Sequence, residues 1–313
     1  MQNSLSPSAT RPEGHHTFVR GILIGLLAAG IGALYTVFAR WGINRGLQTF
    51  DLTALRFGVA GLVTAPVLAM AWIRDRHQFT GRWKTWLGIA LLAGVPFGML
   101  MFGGLQFAPV SHAAVFPFSA MSVMGMLLGA IFTGDRITWR RSIGILAVLG
   151  GLLLVAGLNA SSFTGTTLMG DAMFILAGTL WAGFGIVLRK NRLDPLLATA
   201  VIAFSALVTY VPLYLVLTGA RSLLASSPHV LWTEVVIQGL IAGAGTLFTY
   251  ARTVSLLGAG RAAIFPALTP GLAALLAWPV LGHMPTTAET TGCVVVMAGL
   301  ILAVTGNAQR RGN

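Results

Sequence analysis

The sequence predicts an all-α integral membrane protein with ten transmembrane helices, arranged as two inverted repeats of five helices each. Hydrophobic residues make up 56% of the 313 residues, charged residues only 9%, and the mean hydropathy is +0.82. A soluble domain carries far more charge than this. A bilayer core of about 30 Å needs about 20 helical residues per crossing, and the apolar stretches have that length. Because the stretches are continuously apolar, helices are favoured over a barrel of alternating strands.

The predicted spans fill nearly the whole chain. They cover residues 21–39, 53–73, 86–107, 111–132, 139–158, 168–188, 196–217, 233–256, 261–281 and 288–306. We therefore expect a first repeat over residues 19–158 and a second over residues 167–307. Residues 1–18 are rich in Ser, Pro and His, which predicts a disordered cytoplasmic tail, and residues 308–313 form a second short tail.

The distribution of the 20 Lys and Arg residues predicts the orientation. If the N terminus is inside, the inner segments hold 15 of them and the outer loops hold 3, with Arg56 and Arg252 set aside as lying within spans. Positively charged loops stay in the cytoplasm, so both termini are expected there. The net charge of +12 then reflects topology and attraction to anionic inner-leaflet lipid. It does not indicate nucleic-acid binding, because no segment outside the spans could form a basic domain.

The second half of the chain repeats the first. A shift of 149 residues aligns Gly21 with Gly170, and it aligns residues 112–117, HAAVFP, with residues 261–266, RAAIFP. A shift of 148 aligns Gly144 with Gly292 and Gly151 with Gly299. Each half contains an odd number of spans, so the two copies are expected to lie in opposite senses across the membrane. Inverted repeats allow two states that exchange inner and outer access, with a binding site near the midplane.

No pattern of catalysis or of metal binding stands out. The sequence contains no HExxH, Gly-x-Ser-x-Gly or Walker motif and no paired carboxylates within a span. His15 and His16 are interpreted as solvated tail residues rather than as metal ligands. Cys293, the single cysteine, lies in the last span and is interpreted as a small apolar residue. We therefore predict that the protein is not an enzyme and needs no cofactor or metal.

Several short motifs in a fixed order carry a family resemblance. They are Leu55-Arg56-Phe57, Gly134-Asp135-Arg136, Gly144 with Gly150-Gly151, Gly170-Asp171, Leu180-Trp181-Ala182 and Thr269-Pro270. Over residues 20–307 the chain resembles the drug/metabolite transporter superfamily in its EamA-type branch, which has ten helices in two domains of five. The resemblance implies a secondary transporter of the bacterial inner membrane that usually exports small metabolites such as amino acids or related compounds, and sometimes drugs. It also implies a cavity lined by the first, third, fourth, sixth, eighth and ninth spans.

The chain departs from that pattern at two places. Asp135 stands where such proteins commonly carry Glu, and His283 occupies the matching position in the second half. Met121 in the fourth span corresponds to Pro270 in the ninth. The first departure puts a shared role for the two turns in doubt, and the second predicts that the two halves bend differently.

Residues that are unusual for their depth are the candidates for substrate binding. These candidates are Tyr35, Phe116, Trp181, Thr249, Tyr250, Arg252 and Phe265. Trp181 is predicted near mid-depth, where a ring facing a cavity offers stacking or a cation-accepting face, although a packed aromatic would look the same. Arg252 could hold a carboxylate or could extend its side chain to the inner interface. Arg56 ranks lower, since the nearby Asp51 offers it a surface partner.

Three prolines are candidates for helix bends. Pro117 and Pro266 occupy matched positions in the fourth and ninth spans, and Pro270 follows one turn after Pro266. A proline within a helix frees a carbonyl group, which is tolerated where that group lines a cavity or finds another partner. Simple helix packing explains the prolines equally well, because proline is frequent in membrane helices.

The acidic residues bear on coupling. Asp51, Asp171, Glu234 and Glu289 are all predicted at the outer ends of even-numbered spans, where they complement helix dipoles. No carboxylate is predicted near mid-depth, the place where proton-coupled carriers normally use one. The sequence is thus compatible with a facilitator, an exchanger or a carrier coupled through another group, with Asp171 as the best acidic candidate for coupling and His112 as a weaker one.

These patterns predict outward transport of a small polar or amphipathic metabolite by alternating access in a lipid bilayer. A drug or cation exporter of the same fold is the nearest alternative, and Arg252 argues against it. A membrane component that assembles with other proteins or handles lipid, without transport, is the alternative of another class. The sequence does not set the substrate or the oligomeric state, and a homodimer is compatible with it.

Overall fold

The architecture is helical throughout the part of the chain that is described. The computed structural model describes the backbone of residues 13–133, 138–156, 165–257 and 265–305, and every regular element in these ranges is a helix. The helices are α1 Glu13–Ile43, α2 Thr49–Arg74, α3 His77–Thr80, α4 Trp83–Ala93, α5 Val95–Phe107, α6 Val110–Thr133, α7 Trp139–Ala156, α8 Thr166–Lys190, α9 Pro195–Thr218, α10 Arg221–Ala225, α11 Pro228–Glu234, a π-helix Val235–Gly245, α12 Thr246–Leu257, a 3₁₀-helix Phe265–Leu268, α13 Thr269–Leu281 and α14 Thr287–Thr305.

Six helical segments of the described structure are long and apolar enough to cross a membrane. They are Thr17–Ile43, Thr49–Arg74, Trp83–Phe107, Val110–Phe132, Thr166–Lys190 and Pro195–Thr218. These segments coincide with predicted spans one to four, six and seven, which confirms an all-α protein of the multi-pass membrane class. The apolar helices Phe265–Leu281 and Thr287–Ala303 are shorter, and the predicted eighth span is divided by the π-helix. The full count of ten spans therefore stays a prediction.

The first helix begins earlier than the sequence suggested. We expected disorder up to residue 18, but α1 begins at Glu13. Once an apolar run has nucleated a helix, each further residue adds one hydrogen bond at little cost, so polar flanks are easily included. The remainder of the first tail, the turn Gly134-Asp135-Arg136 and the tail 308–313 lie outside the described residues.

Local sequence signals set the ends of the long helices. α9 begins with Asp194, whose carboxylate accepts from the Leu197 amide at 2.7 Å, and Pro195 occupies its first turn. α9 ends at Gly219, which has a φ of 60°, a conformation that glycine adopts without strain. α2 begins with a capping box, in which Asp51 accepts from the Gln48 amide at 2.7 Å. Polar residues at the interface therefore fix where each apolar segment starts and stops.

The third predicted span is interrupted at its middle. α4 ends at Ala93 and α5 begins at Val95, with Gly94 between them and Pro96 in the first turn of α5. A Cβ atom on Gly94 would lie 2.2 Å from the Ala90 carbonyl oxygen, so a side chain at this position would force the backbone apart. The break thus combines a glycine with a proline in the first turn of the next helix, where its missing N–H costs nothing.

Glycines form the tightest helix pair, α7 against α14. A Cβ on Gly144 would lie 2.6 Å from the Gly299 carbonyl oxygen, and a Cβ on Gly151 would lie 2.8 Å from that of Gly292. Gly144 lies against Gly299 and Gly151 against Gly292, so the two helices run antiparallel. Small residues permit this approach of backbones, which is how helices associate where lipid removes the usual hydrophobic driving force.

The other principal contacts join the two halves of the chain in matched pairs. α1 packs against α12 and α13, while α8 packs against α5 and α6, and α2 packs against α9. Gly170 of α8 contacts Ala108, and Gly21 of α1 contacts Leu257. The two contacts correspond, because Gly170 lies 149 residues after Gly21 and Leu257 lies 149 residues after Ala108. The π-helix packs on α2 through Gly239 and Gly243. The core thus lies between the halves rather than within either one.

We expect Gly151→Leu to destabilise the protein and Gly150→Leu to leave it unchanged. A Cβ at Gly151 meets Val296 at 2.6 Å, whereas a Cβ at Gly150 has nothing within 4 Å. Overpacking of this kind costs about 3 kcal/mol. The thermal midpoint of each detergent-purified variant measures the difference. Equal midpoints for the two variants would contradict the seam described between α7 and α14.

Candidate functional site

A cleft opens between the helices near the middle of the bundle. The space that protein atoms leave empty here, including the part open to solvent, is about 410 Å³. Five stretches of chain form its wall: α2, the end of α4, α8, α9 and the region where the π-helix meets α12. The lining residues are Arg56, Phe57, Ala60, Ala93, Trp181, Phe184, Thr199, Ile202, Ala203, Ala242, Gly243 and Thr246. The wall is therefore largely apolar, with one cation and two hydroxyl groups.

Three polar atoms in this wall have no hydrogen-bond partner among the described residues. They are Arg56 Nη1, Thr199 Oγ1 and Thr246 Oγ1, and all three are buried. Several other threonines in these helices satisfy their hydroxyl groups locally, as Thr64 does by donating to the Ala60 carbonyl at 2.7 Å, although Thr49 at the start of α2 does not. Buried polar groups are nearly always paired, because leaving one unpaired costs about 1–3 kcal/mol. The unpaired atoms thus mark the cleft as a place that is completed by water or by a bound solute.

Aromatic rings hold the Arg56 side chain. Its guanidinium carbon lies 4.7 Å from the centre of the Tyr35 ring and 5.9 Å from that of Phe97. Phe97 in turn lies 4.8 Å from Trp181, whose ring contacts Phe184 at 5.5 Å. A cation over an aromatic face is attracted by the ring quadrupole, and the attraction grows when water is excluded. Arg56 is 6% exposed, so the rings fix its charge inside the bundle.

This arrangement corrects our interpretation of Arg56. We expected Asp51 to serve as its surface partner, but Asp51 is itself buried and accepts hydrogen bonds from the Gln48 amide and from the Tyr214 hydroxyl. The two residues are five positions apart on α2, so their side chains leave the helix in different directions. A local carboxylate therefore does not neutralise the buried guanidinium.

A second polar contact brings together the two residues proposed for coupling. His112 Nδ1 on α6 lies 2.7 Å from Asp171 Oδ1 on α8, and both side chains are buried. The His112 ring also stacks on Phe116 with 5.2 Å between ring centres. Since α6 belongs to the first half of the chain and α8 to the second, this pair ties the halves together.

The remaining candidates lie away from the cleft. Phe265 packs against Gly25, and Thr249 donates to the Gly245 carbonyl of its own helix at 2.9 Å. Arg252 is exposed on α12 and does not line the cleft. Tyr250 lies on the same helix, but its side chain lies outside the described part of the structure. Of the substrate-binding candidates, the structure thus brings Tyr35 and Trp181 together around Arg56.

The prolines occupy three different settings. Pro117 lies within a continuous α6, and its carbonyl oxygen abuts Gly178 of α8. Pro266 lies in the 3₁₀-helix, and Pro270 begins α13. The predicted ninth span therefore changes helix type between these prolines, while the bends themselves stay predictions.

Sequence reasoning missed a buried acidic residue. Glu234 was assigned to an outer helix end, yet it is fully buried, and neither of its carboxylate oxygens has a hydrogen-bond partner among the described residues. Its side chain packs against Gly42 of α1. The Gln238 amide, one turn further along, donates to the Tyr35 carbonyl at 3.0 Å. The spacing of Glu234 and Gln238 could have indicated this burial. Two polar residues one turn apart on one face of an apolar span cost free energy in lipid and are expected to face the protein interior.

Apolar membrane-spanning helices enclosing a partly polar cleft define a multi-pass membrane protein with an internal binding site, as transporters have. Comparison with known proteins gives the same class. The EamA-like transporter family matches residues 19–157 and again residues 168–305. The chain belongs to this family, within the drug/metabolite transporter superfamily.

Named relatives and a solved structure agree with this assignment. The chain is 28% identical over 248 residues to a "Probable amino-acid metabolite efflux pump" of Salmonella typhimurium, covering 74% of this chain and 82% of that protein. It is 25% identical over 300 residues to a protein of Escherichia coli with the same description, covering 88% and 95%. One crystal structure shares the fold with a TM-score of 0.63 and 21% identity, covering 94% of this chain and 99% of that one.

We expect the contact between His112 and Asp171 to contribute to stability as a unit. Removing one partner of a buried pair leaves the other uncompensated and costs about 3 kcal/mol or more. His112→Ala and Asp171→Ala should each lower the thermal midpoint, while the double variant loses less than the sum of the two. His77→Ala, an exposed histidine, is the matched control. Strictly additive losses would show that the two side chains act independently.

Proposed function

We propose that this protein is a secondary transporter that exports small metabolites, amino acids or related compounds, from the cytoplasm. The observation that carries the proposal is the cleft between the halves, whose wall contains Trp181, Arg56 and two threonines with unpaired hydroxyl groups. Apolar walls with a few convergent polar groups are typical of small-molecule sites. The names of the two relatives support a metabolite rather than a drug as the cargo.

The mechanism we propose is alternating access between two inverted five-helix halves of a ten-span bundle. Two reciprocal contacts support it. Gly144 contacts Gly299, the counterpart of Gly151 in the second repeat, and Gly151 contacts Gly292, the counterpart of Gly144. Such reciprocal contacts are the property of a twofold axis. The antiparallel course of α7 and α14 supports an axis in the membrane plane. Rocking of one half on the other would then open the cleft to either side.

Orientation and coupling complete the proposal. Both termini face the cytoplasm, since the Lys and Arg residues cluster in segments on one side of the spans. The inner membrane of a bacterium is the proposed location. Transport proceeds by facilitation or exchange, and the contact of His112 with Asp171, which joins the halves, is the candidate place for coupling.

The lining differs from the one that the family resemblance implied. Spans one, four and nine were expected in the cavity wall, but the cleft takes its walls from spans two, three, six, seven and eight. Spans four and nine instead border a second, smaller recess, with Ala114 on one side and Ala273 on the other. We therefore assign the substrate to the cleft around Trp181.

We expect proteoliposomes containing the protein to exchange amino-acid metabolites and Trp181→Ala to reduce the exchange. Truncating a well-packed aromatic contact costs at least about 1 kcal/mol, which corresponds to about fivefold or more in rate at limiting substrate. Counterflow of labelled solute into preloaded vesicles gives the measurement. Trp139→Ala is the control, since Trp139 is 76% exposed at the start of α7.

Two results would contradict the proposal. Vesicles with the wild-type protein that exchange no more solute than empty vesicles, across a broad metabolite mixture, would remove transport as the function. Wild-type exchange that Trp181→Ala leaves unchanged would remove the cleft as the site.

A further inference from the structure

We propose that the cleft binds the carboxylate of an amphipathic organic anion at Arg56, with the apolar part of the solute against Trp181 and Phe184. The inference rests on the proposed transport function and narrows its cargo from amino acids to the related compounds: a monocarboxylate with an apolar or aromatic body and no ammonium group. Three independent features support it, namely the unpaired donors, the absence of acidic residues from the wall, and the orientation of the rings.

The unpaired atoms match the hydrogen-bonding needs of a carboxylate. Arginine carries donors only, and its planar head suits a carboxylate with two parallel bonds. The hydroxyl groups of Thr199 and Thr246 can each donate one more hydrogen bond. Because the three residues that carry these atoms line one cleft, a single carboxylate there supplies acceptors for the guanidinium and for both hydroxyl groups.

The charges in the wall select against a cationic solute. No carboxylate is present among the residues that line the described cleft, so an ammonium group there would meet a like charge at Arg56 and no counter-ion. The neighbouring acidic side chains are placed elsewhere, with Asp51 bonded to Tyr214 and Glu234 packed against Gly42. Like-charge contacts in a desolvated site are a strong means of rejecting the wrong ligand.

The aromatic rings also select against a cationic solute. Arg56 lies over the Tyr35 face at 4.7 Å and near the Phe97 ring at 5.9 Å, so the guanidinium already uses these π-faces. A cationic solute would have to compete with it. Trp181 and Phe184 line the cleft itself and offer contact area to an apolar group.

The arrangement is not repeated at the positions related by the duplication. Under the 149-residue shift, Arg56 corresponds to Ser205 and Trp181 to Gly32, while Thr246 corresponds to Phe97. A residue needed only for the fold of a repeated helix would be expected in both copies. The cation, the hydroxyl group and the stacking ring occur together only where the cleft is.

Binding to the detergent-purified full chain tests the proposal with three probes that share a phenyl ring and differ in charge. They are 3-phenylpropanoate, phenylalanine and phenethylamine. We expect 3-phenylpropanoate to displace its own radiolabel at concentrations at least about tenfold below those of the other two, which corresponds to about one charge-assisted hydrogen bond. Arg56→Gln should abolish this preference. Arg74→Gln, an exposed arginine at the end of the same helix, should keep it.

Further variants separate recognition from folding. Arg56→Lys keeps the charge and should retain a reduced preference for the acid, because lysine binds as a point charge without the planar fork. Thr246→Val removes one donor at nearly constant volume and should weaken binding of the acid by about fivefold while leaving phenethylamine unchanged. If Arg56→Gln does not fold, these two variants decide the question. If Arg56 has only a structural role, its variants will have altered thermal midpoints but will bind the three probes with the same order of affinity as the wild type.

Three outcomes would overturn the proposal: equal displacement by phenylalanine, stronger displacement by phenethylamine, or no specific binding of 3-phenylpropanoate. Failure of the transport function would show differently. In that case wild-type vesicles exchange no solute, whichever probe the purified protein binds.

Discussion

Arg56 is a cation held inside a membrane bundle by aromatic rings rather than by a carboxylate. Arg56 is 6% exposed, and its guanidinium carbon lies 4.7 Å from the centre of the Tyr35 ring. A charge in such a place needs compensation, and in hydrocarbon it cannot come from bulk water. The cleft beside Arg56 is where water or a solute can supply it. The position of Trp181 and the two unpaired threonine hydroxyl groups then follow as parts of one site.

The packing of the halves explains why a cleft exists at this depth. Glycines bring α7 and α14 into backbone contact at one place, and Gly239 and Gly243 bring the π-helix onto α2 at another. The third predicted span breaks at Gly94, and the neighbouring Ala93 lines the cleft together with Trp181. Repeated sequence thus builds the frame, whereas the residues that differ between copies fill the cleft. In the proposed function, solute recognition depends on that asymmetry.

Much of the fold was readable from the chain, because apolar length and helix caps act locally. Six predicted spans appear as long apolar helices. Asp194 caps the start of α9 and Gly219 its end, as is usual for aspartate and glycine. The π-helix was not readable, since it depends on the close approach of Gly243 to α2. Trp181 was singled out by its depth. Arg56 was discounted, because only the fold shows that Asp51 bonds to Tyr214 instead.

Access to the cleft from both sides of the membrane tests the central claim most directly. The chain has one cysteine, Cys293, which is buried, so Cys293→Ala gives a background without thiols into which Thr246→Cys can be placed. A membrane-impermeant maleimide is then applied to right-side-out and to inverted vesicles. The account predicts modification from either side, slowed in both cases by a transported solute. Modification from one side alone, unaffected by any solute, would contradict it.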